Sequence, residues 1–245
     1  MPSRWLIAAA IVMAGARAPA RANDIAPDRP GFGESASVLD RGRVQLEAGL
    51  AWTRVEADAS VLDLPQAVLR IGVGASLEVR LQASDWLRAE GTEGTESGWS
   101  DTAIGLRWQV AAGRHDVSLR GVLFVPNGSV GWSDEKVDPE GAVSWAHELG
   151  GGWSASATVS ARRFTSVQTT VLSPSLSIER ALGSRASTFL EFGTNVADGR
   201  SPLHQVDHGY TWLPNADTQL DVSIGFGLSS AAPDFFVAVG FSRRF

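Results

Sequence analysis

From Arg43 to the C-terminus the chain repeats apolar and polar residues at every second position, segment after segment. A period of two is the signature of strands with two unlike faces. Val44, Leu46, Ala48, Leu50 and Trp52 alternate with Gln45, Glu47, Gly49, Ala51 and Thr53. Leu220, Val222, Ile224, Phe226 and Leu228 alternate in the same way with Gln219, Asp221, Ser223, Gly225 and Gly227. Twelve such segments can be counted, over 44–53, 66–73, 77–84, 101–110, 117–125, 142–149, 153–160, 172–179, 187–196, 207–212, 219–228 and 235–245. The eighth is the weakest, because Pro174 removes a ladder donor from its middle.

The two faces are inverted relative to a soluble β-protein. A sandwich turns its apolar face inward and exposes a charged one. Here the apolar face is almost free of charge. The other is built of Gly, Ser, Ala and Thr with single charges set among them: Glu47, Arg70, Glu78, Arg80, Asp101, Arg107, Arg120, Glu179, Glu191 and Asp221. That distribution fits an apolar side against lipid and a polar side lining a narrow, wet interior. The ten charged residues are therefore the lumen-lining candidates. The expected fold is all-β, a transmembrane antiparallel up-and-down barrel of about twelve strands. Short turns (72–76, 111–114, 150–152, 181–185, 214–217) alternate with mostly longer links (55–64, 86–100, 126–138, 165–168, 197–206, 229–233), as periplasmic turns and outer loops do. Most tryptophans fall near strand ends, where amphipathic rings favour the membrane interfaces.

Composition narrows the classes. There is no cysteine, hence no disulfide scaffold, thiolate metal site or cysteine nucleophile. A net charge of −6 speaks against nucleic acid as a partner. The most apolar run, 5–16, is 12 residues long and too short for a spanning helix. Together with Arg4 and the small-residue box Ala20-Arg21-Ala22, it reads as a signal peptide over residues 1–22. Its removal takes away three arginines and no acid, moving the charge from −6 to −9. The expected organisation is thus a signal peptide (1–22), an N-terminal segment (23–42) and a barrel (43–245) in the bacterial outer membrane.

The C-terminal VAVGFSRRF, closing on Phe245, resembles the terminal signature that barrel-assembly machinery reads in outer-membrane proteins. Arg29–Gly49 (RPGFGESASVLDRGRVQLEAG), Leu64–Leu81, Ser100–Val110 and the closing segment from Asp217 add to it. With these segments the chain resembles the outer-membrane transporter-like family named for the MetA-pathway of phenol degradation. The resemblance covers nearly all of the mature chain. It implies an outer-membrane barrel associated with uptake of aromatic or other hydrophobic compounds, and it supplies no catalytic set.

Residues 23–40 show no alternation and hold Pro27, Pro30, Gly31 and Gly33. Two readings stand side by side: a plug folded into the lumen, with Arg29 or Glu34 paired to wall charges, and a flexible periplasmic tail. His204 and His208 flank Asp207 but sit where a loop runs into a strand, so polar surface is the better reading than a metal site, and no cofactor is implied. No nucleophile–base spacing marks a catalytic set. The sequence therefore points to a channel, with no enzyme activity, for passive or gated uptake of small solutes, with outer-membrane lipid around it. A structural or adhesion-type barrel without transport is the alternative, and a rim-sited hydrolase a weaker one.

Overall fold

The computed structural model describes residues 24–245; the expected signal peptide lies outside the described residues. Fifteen strands form one antiparallel sheet. They are β1 (Val44–Glu56), β2 (Ala59–Leu64), β3 (Val68–Gly72), β4 (Leu77–Gln82), β5 (Trp86–Gly91), β6 (Gly94–Trp99), β7 (Thr102–Ala111) and β8 (His115–Val125). The rest are β9 (Asp138–Gly150), β10 (Trp153–Phe164), β11 (Thr169–Ala181), β12 (Ala186–Ala197), β13 (Leu203–Asn215), β14 (Thr218–Gly227) and β15 (Phe235–Arg244). β15 pairs back onto β1 from Gln45↔Arg244 to Arg54↔Phe235, so the sheet closes.

Twelve staves make the ring, because three of them are broken in two. β1 pairs with β3 along its first half and with β2 along its second, so β2 and β3 are one stave interrupted at residues 65–67. β4–β5 and β6–β7 repeat the arrangement, β4 pairing β7 and β5 pairing β6. Pro65 has no N–H to give the ladder, which accounts for the first break. The gaps are bridged: the Ala83 N–H donates to the Ala67 carbonyl at 2.9 Å, and the Ser100 N–H to the Asp85 carbonyl at 2.8 Å.

Two expected long links, 55–64 and 86–100, are thus strands in large part. Alternation does not mark them because β5 and β6 carry Arg88, Glu90 and Glu96, charges that fit only above the lipid belt. There the outward side chains meet water, and the period-two apolar signal is not required. Pro174 does not end its strand: β11 pairs continuously with β10 through Val159↔Pro174. The ladder from β11 to β12 instead lapses at Ser173–Pro174.

The faces are disposed as the alternation predicts. Outward Leu106, Leu176 and Phe226 are 52%, 58% and 49% exposed, whereas inward Arg70, Glu78 and Arg107 are 0%. Trp108, Trp145, Trp153 and Trp212 lie toward the end with the short turns; Trp52, Trp86, Trp99 and Trp132 lie toward the end with the longer loops. These are here called the turn end and the loop end.

An arginine at outward Leu176, in the middle of β11, is expected to cost about 2–4 kcal/mol, the range for a cation at mid-bilayer depth on the lipid face. Urea titration of Leu176→Arg refolded in vesicles measures it. A cost near zero would mean that this face meets water.

Candidate functional site

The site begins with a conflict that the register creates. Arg70 on β3 lies directly opposite Arg80 on β4, and Arg107 on β7 directly opposite Arg120 on β8. All four point inward and are buried. Like charges directly across a strand pair are destabilising, and burial without counter-charge is worse. The wall supplies part of the remedy. Glu78 pairs with Arg70 and with Arg80, each at 2.9 Å, and Glu47 with Arg70 at 2.9 Å. Glu140 pairs with Arg120.

The remainder comes from the N-terminal segment, which crosses the interior of the ring. Asp28 meets Arg107 at 2.8 Å and Arg80 at 2.5 Å, and Glu34 meets Arg107 at 2.5 Å and Arg120 at 2.7 Å. The backbone is held as firmly. The Asp28 N–H donates to Glu47 (2.9 Å), the Leu39 N–H donates to Glu78 (3.1 Å), and Arg70 donates to the carbonyls of Ala26 and Ser37. Burial alone would push the Asp28 and Glu34 carboxyls up. The guanidinium groups around them outweigh it: Arg107, Arg70 and Arg80 hold Asp28 well below the usual carboxylate range, and Arg120 and Arg107 hold Glu34 below it.

On the facing wall the polarity reverses. Arg29 of the segment pairs with Asp221 at 3.4 Å and donates to Gln66 (2.9 Å) and to the Val239 carbonyl (3.2 Å). Its guanidinium lies flat against Gly49 and Gly240, where a Cβ would sit 2.3 Å from it. Only glycine admits that approach. Glu191 on β12 accepts the Phe32 and Gly33 N–H groups at 2.5 and 2.7 Å, and Thr158 on β10 accepts the Glu34 N–H at 2.9 Å. The Phe32 ring occupies the space that a side chain at position 193 would need and meets Phe236 edge-on at 5.7 Å. The segment rises from the turn end, where the Ile25 N–H donates to the Ala216 carbonyl, turns over at Phe32–Glu34 and returns to β1.

Of the ten wall residues singled out in the sequence, six gather in the arginine network: Glu47, Arg70, Glu78, Arg80, Arg107 and Arg120. Asp221 and Glu191 hold the segment from the other side. Glu179 is buried on the inner face of β11, away from that network. Asp101 does something else: it accepts the N–H groups of Asn127, Gly128 and Asp134 and so ties down the long loop at 126–137. Asp28 was missed because its segment carries no period. Glu140 was missed because the segment was begun at 142; the inward phase of Ala142 and Ser144 extends back to it. His204 and His208 point outward and bond Thr194 and Thr188, while Asp207 points inward.

A family model described as "Putative MetA-pathway of phenol degradation" matches residues 27–245. No curated protein matches the sequence. Among solved structures, the chain is similar to the COG4313 outer membrane channel from Pseudomonas putida F1, with a TM-score of 0.69 and 14% identity over 86% of this chain and 98% of that one. It is also similar to the KdgM porin (TM-score 0.57, 9% identity, 82% and 99% covered) and the NanC porin (0.55, 6%, 82% and 98%). These likenesses carry the fold, a closed twelve-stranded antiparallel barrel of the outer-membrane type.

Two outcomes are expected. Removing Asp28 as Asp28→Ala leaves buried guanidinium groups under-compensated, a cost of about 3–5 kcal/mol to the seating of the segment. Hydrogen exchange of the 26–34 amides should then quicken at least a hundredfold in the folded barrel; wild-type protection would place the segment's anchorage elsewhere. The second outcome concerns pH. A carboxyl held below its ordinary value contributes stability that is present above the free-chain value, roughly 4, and lost as pH falls through the lowered one. Protection of the Asp28, Arg29 and Ser35 amides, which Glu47 and Asp28 accept, should hold from pH 8 to 5 once corrected for intrinsic rate and fall only well below pH 4. Loss near pH 6 would contradict the assignment.

Proposed function

We propose a function for this chain from one premise: it belongs to the family described by the MetA-pathway of phenol degradation. It acts as an outer-membrane channel for passive or gated passage of small solutes, with residues 24–42 as a plug. The observation that supports this most directly is the segment itself. A closed ring with a lipid-compatible outer face and a polar bore has its interior crossed by a chain held through side-chain and backbone bonds on both walls. A strap seated by ion pairs can be displaced without unfolding the ring, because the ring's ladder closes through β15 and β1 without it.

The turn end is periplasmic and the loop end faces the exterior. Residues 1–22 direct export and are cleaved, and the closing Phe245 serves the barrel-assembly machinery. Its main chain pairs with that of Val44 beside the β1–β15 seam. Uptake of aromatic or hydrophobic compounds comes from the family alone. The protein is read as a non-enzyme, in keeping with the channels and porins whose fold it shares, and among the described residues no set in the bore suggests a catalytic reaction. The reading of a structural barrel without transport draws on the same packed interior, and flux separates the two.

Single-channel conductance in planar bilayers tests the proposal on protein shown to be folded by heat-modifiable gel mobility. The full mature chain should conduct weakly, and deletion of residues 24–42 should raise conductance several-fold. Unchanged conductance would remove the plug. No conductance in either folded form would favour the structural barrel.

A further inference from the structure

The bore has a second feature, on the loop-end side of Phe32. A cavity there has Phe32 and Glu34 as its floor, Arg120 and Glu140 on one wall, and β10–β13 on the other. The far wall is a bank of neutral hydrogen-bonding groups: Ser160, Ser173 and Asn195 in one row, with Thr158, Ser175 and Gln205 in the row beneath. Their strand pairings set those rows, through Ser160↔Ser173 on β10–β11 and Gly193↔Gln205 on β12–β13. Ser160, Ser173 and Asn195 are half-buried, hence within reach of solvent from the loop end.

Gln205 is 5% exposed, and its amide nitrogen has no hydrogen-bond partner. A buried donor without an acceptor costs about 1–3 kcal/mol, and such groups are rare enough in folded proteins to require a reason. The ladder lapse at Ser173–Pro174 falls in the same wall. Backbone pairing is thus given up beside an unsatisfied side-chain donor, both lining one cavity.

Charge then decides what the cavity suits. Arg120 is already engaged by Glu34 and Glu140. Across the network beneath, four arginines (Arg70, Arg80, Arg107, Arg120) face five carboxylates (Asp28, Glu34, Glu47, Glu78, Glu140). Arg162, nearer the loop end of β10, is paired with Asp138, so among the described residues of this part of the bore an incoming anion meets no cation without a carboxylate beside it. A neutral solute rich in hydroxyls finds donors from the amides and hydroxyls that act as either donor or acceptor, and an aromatic ring beneath. We propose that this vestibule is a recognition site for a small neutral polyhydroxylated solute, a sugar or polyol, with Gln205 donating to one of its oxygens. The proposal rests on the channel reading for the solute's path, and it adds a ligand class that the family description does not contain.

The test is saturation-transfer NMR and equilibrium dialysis on the folded mature protein in detergent, with glucose, mannitol, gluconate and phenol as probes. Glucose and mannitol should bind saturably, and gluconate at least fivefold more weakly. Gln205→Met, which keeps the volume and removes the donor, should weaken glucose about tenfold. Asn195→Ala should weaken it severalfold, and Ser223→Ala, buried elsewhere on the inner face, should leave it unchanged. No saturable glucose binding by the folded wild type, or equal affinity in Gln205→Met and Asn195→Ala, would overturn the proposal. Tighter binding of gluconate or of phenol would overturn it equally. Conductance of the same preparations keeps the two claims apart: conductance without binding sinks only the vestibule, and binding without conductance in any form sinks the channel.

Discussion

Four guanidinium groups on adjoining staves, all turned into one closed ring, have to be neutralised from inside the ring. That requirement shapes the rest of the interior. The wall contributes Glu47, Glu78 and Glu140, which leaves Arg80 and Arg107 short of partners, and Asp28 lies against both. Glu78 spans Arg70, Arg80 and Arg107 from the wall, and from the bore Asp28 reaches the same three while Glu34 reaches Arg107 and Arg120. A residue on the wall would be confined to its own neighbours, because inward side chains of a strand reach chiefly the next strands. The N-terminal segment is therefore positioned by electrostatics first. Pro27 and Pro30 flank the acidic residue and limit the conformations the segment gives up on seating.

The reversed polarity of the opposite wall gives the segment a direction. Arginines collect on β3, β4, β7 and β8, and acids on β11 to β14. The segment presents Asp28 and Glu34 to the first group, and Arg29 and the Phe32 and Gly33 N–H groups to the second. A rotation of the segment would bring like charges together on both sides at once. That is negative discrimination built from charge placement, and it explains how a stretch without regular secondary structure can occupy one position.

Legibility in the sequence followed the same physics. Period two is imposed wherever one side chain in two must meet lipid, so all twelve staves and the phase of the inward charges could be read from alternation. The rule stops applying beyond the lipid belt. β2, β5 and β6 are paired strands, yet Asp63, Arg88, Glu90 and Glu96 read as loop because water, unlike hydrocarbon, does not sort faces. Asp28 lies outside any period, and its role depends on where three arginines, far from it in sequence but on adjoining staves, converge, which no local pattern encodes. Asp101 shows the converse: phase puts it on the inner face, but phase says nothing of height along the bore. At the loop end an inward carboxylate meets the returning loop before it meets an arginine.

Pro174 draws these threads together. In a lipid-facing sheet every backbone N–H and C=O needs a partner within the sheet, so a proline inside a spanning strand is a liability. The structure locates the consequence. Pairing with β10 is complete, and the lapse falls on the β12 side, opposite Thr194 and Asn195. A lapse opening toward lipid would expose bare carbonyls to hydrocarbon. Here it adjoins a bore lined by Ser160, Ser175 and Gln205, where polar groups or a polar solute can satisfy the freed backbone. The same position that weakened the reading of the eighth stave is thus tolerable only because of what lies inside the ring beside it.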